Sequence, residues 1–222
     1  MQLFGKTVPP AWLDILSLIQ SIAPSAVLAG GCLRDLILGG EVKDLDIFVD
    51  ASSEIGWEDI QHVLTLRHGW RVSMTVNTDY VQTMRSEVAK VVGFRVPSFP
   101  LEVQIVGLRS LKSPEDAIDR MDFGACQIGI HGPAHFVFTP SFMNDFLDRT
   151  ITMLEPEDHV QECRSLARAA RFADKYAGTD VRVIPNGPTT RISHSFHDTD
   201  MDAYDETLRA FVAGCYDGVM GG

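Results

Sequence analysis

Two carboxylates one residue apart, Asp44 and Asp46 in the run Lys43-Asp44-Leu45-Asp46-Ile47-Phe48-Val49, combine residue type and spacing that can do chemistry. In an extended strand, residues i and i+2 project to one face, roughly 6.5–7 Å apart along the chain. Asp44 and Asp46 therefore project together, and Leu45 and Ile47 face the other way. Two like charges on one sheet face repel each other unless cations lie between them. Hard oxygen donors suit Mg²⁺, which also holds substrate phosphates. A pair of such ions activates an attacking hydroxyl and stabilises a leaving pyrophosphate.

The elements that must position this pair are legible nearby. Val27–Ala29 is short and apolar and ends in Gly30-Gly31, which predicts a buried strand meeting a turn. Glycines let backbone N–H groups approach a ligand with no Cβ in the way. Cys32–Leu38 then predicts two helical turns, with Leu33, Leu36 and Ile37 on one apolar face and Gly39-Gly40 as the stop. A helix N-terminus beside glycines favours phosphate through its free N–H groups and its dipole. Arg34, in the first turn, is placed to reach a phosphate or to brace a carboxylate.

Apolar periodicity predicts further helices over residues 11–22, 55–68 and 156–176, and Ser113-Pro114 opens another as N-cap and N1. Strands are predicted over 70–76, 88–94 and 101–106, and a hairpin from 123–130 and 136–139. Trp12, Trp57 and Trp70 are dispersed and read as core anchors. Residues 178–200, rich in Thr, Pro, Gly and Ser, read as a linker, and 202–216 as a final amphipathic helix.

Taken together, Gly30-Gly31-Cys32-Leu33-Arg34-Asp35, then Leu38-Gly39, then Lys43-Asp44-Leu45-Asp46, resemble the head domain of the polymerase-β-like nucleotidyltransferases. The branch concerned is that of the CCA-adding tRNA nucleotidyltransferases and bacterial poly(A) polymerases, whose signature is GG-x-x-R-D…LG…KD-x-D. The strand Leu101-Glu102-Val103-Gln104-Ile105 resembles the one that supplies a third carboxylate, Glu102. Residues 119–126 resemble the R-R-D-F-T-I-N-A motif through Arg120 and Asp122, with Met121 in place of the second arginine and Cys126 in place of asparagine. Residues 164–172 resemble the neck-helix motif through Arg168, Arg171 and Phe172. Gln161-Glu162 stands at its acidic pair, Ser165 at its base-reading arginine, and Arg164 one residue out of register.

The resemblance covers residues 20–178; the family's long helical body and tail have no counterpart in the 222 residues. It implies an α/β (α+β) fold, a mixed five-stranded sheet backed by helices with a short helical neck. The expected organisation is a head domain over 1–150, a helical neck element over 151–178, and a linker with a C-terminal helix over 179–222. The implied activity is transfer of a nucleoside monophosphate from an NTP (ATP or CTP) to an RNA 3′ hydroxyl, releasing pyrophosphate. Asp44, Asp46 and Glu102 would hold two Mg²⁺ ions, or Mn²⁺ in their place. Gly30, Gly31, Arg34, Lys43, Arg120, Asp122, Arg164, Arg168 and Arg171 would hold the nucleotide.

Composition limits the partners. A formal charge of −11 argues against a large nucleic-acid footprint, because phosphate contacts dominate such binding. Any basic patch is local, and Arg164, Arg168, Arg171 and Lys175 form the best candidate. No run approaches the roughly 20 apolar residues of a membrane span, and the N-terminus does not have the pattern of a secretory signal. Cys32, Cys126, Cys163 and Cys215 are scattered without C-x-x-C, which fits a reducing, cytoplasmic setting and argues against a zinc site. The histidines likewise lack a framing such as H-E-x-x-H. Two alternatives stay open. The acidic balance suits transfer to a protein side chain or small molecule, and the departures at Met121 and Cys126 suit a nucleotide-binding module without catalysis.

Overall fold

The computed structural model describes residues 1–52, 57–76, 88–133, 135–185 and 196–197. The chain opens with a small ribbon, β1 (Gln2–Leu3) against β2 (Lys6–Thr7), followed by α1 (Pro10–Gln20). Pro10 sits at N1 of α1, where its missing N–H costs nothing. Trp12, Ile15, Leu16 and Ile19 recur at helical spacing and are all buried. β3 (Val27–Ala29) leads through Gly30 into α2 (Gly31–Leu38), and β4 (Asp44–Asp50) follows. Gly39 ends α2 in the left-handed region, at φ 82°, which glycine adopts without a Cβ penalty.

Next come α3 (Trp57–His68), β5 (Arg71–Val76), β6 (Val88–Arg95) and β7 (Glu102–Leu108). The short α4 (Pro114–Ile118) carries the expected Ser113 cap, with a reciprocal Asp116 contact. Then follow β8 (Ile128–Ile130), β9 (Phe136–Phe138), α5 (Pro140–Asp148), β10 (Thr150–Thr152), α6 (His159–Lys175), β11 (Arg182–Ile184) and β12 (Phe196–His197).

Among the described residues the main sheet has eight strands, not the expected five, in the order β12-β9-β8-β3-β4-β7-β6-β5. It is mixed: β4 and β7 pair in parallel, and the other neighbours are antiparallel. One face packs against α1, α2 and α3 through Leu45, Ile47, Val103 and Ile105 together with Trp12, Leu33 and Leu64. α4 covers part of the other face, where Val27, Ala29 and Val106 meet Ala117 and Ile118. Trp12 and Trp70 are buried as expected; the side chain of Trp57 lies outside the described residues.

Several elements depart from expectation. Gly124–Cys126 is a 3-10 turn, so the hairpin strand starts only at Ile128. α5 was not expected, although Thr139-Pro140 is a sound start signal: the Thr139 hydroxyl accepts from the Phe142 amide, and Pro140 lies at the start of the helix. Within the predicted linker, residues 182–184 form β11, in parallel with β10. The predicted helix over 202–216 lies outside the described residues.

The 3-10 turn fits beneath α5 because residue 124 has no side chain. A Cβ on Gly124 would lie 2.6 Å from Asp145 Oδ2 and 2.9 Å from the Ser141 carbonyl oxygen. Gly124→Ala is therefore expected to destabilise the fold by about 1–3 kcal/mol, as overpacking does. Urea unfolding checks this, and an unchanged midpoint contradicts it.

Candidate active site

Gly30 is where the cradle begins. It takes φ 85° and ψ −131°, a conformation glycine tolerates, and its N–H donates to the Ile128 carbonyl at 3.1 Å. A Cβ there would meet the Met121 methyl at 3.3 Å. The first N–H groups of a helix lack an intrahelical acceptor, and no side chain caps those of α2.

The carboxylates come next, one strand further along the sheet. β4 alternates in burial along its whole length, with Leu45, Ile47 and Val49 inside and Asp44, Asp46 and Phe48 half-buried on the other face. Parallel pairing sets Asp44 opposite Glu102 and Asp46 opposite Gln104. All four side chains thus lie on one sheet face. The Gln104 amide sits between two of the carboxylates, 3.4 Å from Asp44 Oδ2 and 3.5 Å from Glu102 Oε1. Glu102 leans over Gly93 of β6, where a Cβ would stand 2.5 Å from its Oε1.

Crowding of negative charge shows in the protonation equilibria. Burial, then the neighbouring Asp44 charge, pushes the Asp46 carboxyl up to about 7. Burial, followed by Asp35 and Glu102, raises Asp44. These are the donors and the mutual repulsion that a divalent cation relieves, so the chemistry of the set fits Mg²⁺ or Mn²⁺. Among the described residues no three His, Cys, Asp or Glu side chains converge on one point for a metal. The fit therefore rests on the Asp44–Asp46 pair, with Glu102 beside Asp44.

The shift has a stability consequence. In the absence of divalent ions the folded state holds a proton on Asp46 that the unfolded chain releases near pH 4. The unfolded state thus binds fewer protons between pH 4 and about 7, and stability from this group falls as pH rises through that window. Asp46→Asn is expected to melt above the wild type at pH 8 in EDTA, by about 2–4 °C for each kcal/mol relieved, and by a smaller margin at pH 4.5. A margin that shrinks toward pH 8 contradicts this.

Beside the carboxylates lies a network that sequence reading missed. Arg34 is only 5% exposed. Its Nε and Nη2 donate to Asp35 Oδ1 at 2.8 and 2.6 Å, its Nη1 lies 3.2 Å from Cys126 Sγ, and its guanidinium carbon sits 4.1 Å over the Phe172 ring. Asp35 also accepts from Lys175 Nζ and, at 2.6 Å, from the Tyr176 hydroxyl. Arg34 thus braces a carboxylate, the second of the two roles open to it. α2 is accordingly buried on two sides: Leu33 and Ile37 enter the main core, and Leu38 packs with Phe172 and Tyr176 of the second cluster. The sequence carried a signal for this in the adjacent Arg34-Asp35 pair, but nothing local pointed to Lys175 and Tyr176.

A parallel clamp holds the middle of α6. Asp122 accepts from the Ser165 hydroxyl at 2.6 Å and from Arg168 Nη1 at 2.6 Å. The Arg168 side chain stays 44% exposed. Arg171 is exposed and Arg164 half-buried on the same helix. The expected basic patch is therefore partly neutralised, since Arg168 and Lys175 face Asp122 and Asp35. Lys43 is exposed at the head of β4. Arg120 stands apart from this group: its Nε and Nη2 donate to the carbonyls of Asp116 and Ser110, which ties down α4.

Comparison with known proteins places this arrangement in a wider setting. The family model described as Gabija anti-defense 2 (Gad2) family protein matches residues 11–149. No curated protein matches the chain. Among solved structures, a CCA-adding enzyme with ATP has a TM-score of 0.56 at 20% identity, over 82% of this chain and 44% of its own. The Thermotoga maritima CCA-adding enzyme complexed with tRNA gives 0.57 at 19% identity, over 87% and 45%. A tRNA-processing enzyme gives 0.55 at 22%, over 80% and 45%. The fold is thus that of the nucleotidyltransferase head, and the chain spans less than half the length of these enzymes.

Proposed function

For a chain that belongs to the Gabija anti-defense 2 family and carries this fold, we propose a divalent-metal-dependent nucleotidyltransferase. It moves a nucleoside monophosphate from an NTP to a hydroxyl acceptor and releases pyrophosphate. The observation that carries this reading is the β4–β7 register, which sets Asp44, Asp46 and Glu102 on one sheet face. We assign residues 1–150 to the catalytic head and 151–178 to the neck.

Asp44 and Asp46, with Glu102, would hold Mg²⁺ or Mn²⁺; bound there, such ions neutralise triphosphate charge and acidify the attacking hydroxyl. Gly30 and Gly31 carry no Cβ to keep a phosphate from the leading N–H groups of α2, and the α2 dipole favours its charge. Lys43, exposed at the head of β4, adds a cation. Arg168 is oriented by Asp122 and keeps part of its guanidinium in solvent, where with Arg164 and Arg171 it can orient the nucleotide. Of the other three predicted contacts, Arg34 acts by bracing Asp35, Asp122 acts through Arg168, and Arg120 acts by tying down α4.

The acceptor in the first reading is an RNA 3′ hydroxyl, by analogy with the tRNA-bound neighbour. A second reading, transfer to a protein side chain, is favoured by the charge of −11 and by a family named for acting against a defence system. One labelling experiment separates them. Purified protein, each α-labelled NTP and Mg²⁺ are incubated with tRNA, and separately with extract of cells that carry a Gabija system. Label in RNA supports the first acceptor and label in protein the second. Label in neither, with no NTP consumed, overturns the enzyme assignment.

A further inference from the structure

We propose that His159 and Cys163, on the first turns of α6, form a two-donor site for a borderline divalent ion of the Zn²⁺ type. The pair is not framed by C-x-x-C or H-E-x-x-H, so the sequence alone argued against it. The helix supplies what spacing in a motif would have supplied, because residues i and i+4 share one face. Cys163 Sγ and His159 Nε2 lie 3.7 Å apart. Zinc bonds of ~2.3 Å to sulfur and ~2.0–2.1 Å to nitrogen, at a tetrahedral angle, span about 3.5 Å between the two donors. The ion therefore enters with a shift of a few tenths of an ångström.

A third residue completes the arrangement. Glu162 Oε2 lies 3.1 Å from His159 Nδ1, so it fixes the ring and presents Nε2 outward toward the sulfur. Carboxylate support of this kind orients metal-bound imidazoles and raises their basicity. His159 is 84% exposed and Glu162 45%, and Cys163 is exposed as well, so an ion reaches the site from solvent. Cys32 and Cys126 are buried and offer no competing thiolate. Binding replaces the thiol proton, which leaves to solvent as the sulfur–metal bond forms. The two remaining positions of the ion stay open to water.

Donor softness separates this site from the carboxylate face. Thiolate and imidazole select zinc-like ions, and an all-oxygen set selects Mg²⁺ or Mn²⁺. The site has no part in the transfer chemistry proposed above, and its test does not use turnover.

The test is titration of the full chain with Co²⁺, read as the near-ultraviolet thiolate-to-metal absorption, with Zn²⁺ as competitor. One equivalent is expected to develop the band and Zn²⁺ to remove it. Cys163→Ser should abolish the band and His159→Ala should weaken binding beyond the range reached. Glu162→Gln should weaken it about 10–100-fold while leaving the band shape intact. Cys215→Ser and Asp44→Ala should both retain it. All three site residues are exposed on α6, so circular dichroism is expected to be unchanged in the variants. A band that survives Cys163→Ser, a band lost with Cys215→Ser, or no band at millimolar Co²⁺ would overturn the proposal.

Discussion

Asp44→Ala is expected to lower nucleotidyl transfer by about 10³-fold or more while leaving the protein folded. Asp46→Ala should do the same. Each substitution strips an oxygen donor from the face where a cation would meet the triphosphate. A metal's charge stabilisation is of the order of several kcal/mol, and each ~1.4 kcal/mol is a factor of ten in rate. The fold should survive because both side chains are half-buried on the face opposite the main core, and both carboxyls are destabilised by one another. The two effects therefore separate: turnover collapses and metal-free thermal stability holds or rises. Steady-state kinetics with circular dichroism on the purified variants checks both parts. Turnover within tenfold of wild type in either variant contradicts the assignment.

Asp35→Ala should behave in the opposite way, losing stability first. Its carboxylate accepts from Arg34 twice, from Lys175 and from the Tyr176 hydroxyl. Removing it leaves Arg34, 5% exposed, and the partly buried Lys175 without their anion. Breaking a buried pair by deleting one partner costs about 3–5 kcal/mol, because the remaining charge is uncompensated. At about 2–4 °C per kcal/mol for a chain of this size, the melting temperature should fall by roughly 6–20 °C. The loss should centre on α6, since Lys175 and Tyr176 are its tether to α2. Asp35→Asn keeps an acceptor oxygen but not the charge, and should lie between. Thermal and urea unfolding with limited proteolysis checks this. A loss under about 1 kcal/mol, or an α6 no more open to protease than in the wild type, contradicts it.

The contrast between these two aspartates shows what the sequence could carry. Asp44 and Asp46 were legible because strand alternation is local: spacing alone puts them on one face, and β4 obeys it. The Gly30-Gly31 turn and α2 were legible for the same reason. The register that brings Glu102 beside Asp44 came only through the family resemblance, since parallel pairing of β4 and β7 joins segments far apart in sequence. Asp35 stands in the motif, but its role is not local: its partners Lys175 and Tyr176 arrive from the far end of α6. Arg120 shows the converse: the resemblance put it at the nucleotide, and the fold uses its guanidinium on carbonyls of Asp116 and Ser110. The sheet exceeds the five strands implied by the resemblance because the hairpin β8–β9, itself legible in the sequence, joins it beside β3, and β12, two residues inside the predicted linker and too short for periodicity to define, extends it beyond β9.

The most direct test of the central claim is which phosphate the protein transfers. Paired reactions contain Mg²⁺, cell extract as acceptor, and one NTP labelled at either the α or the γ phosphate. Nucleotidyl transfer predicts that the α label enters a macromolecule, that the γ label appears as pyrophosphate, and that EDTA stops both. Incorporation of the γ label, or consumption of NTP with no α label in any acceptor, would contradict it.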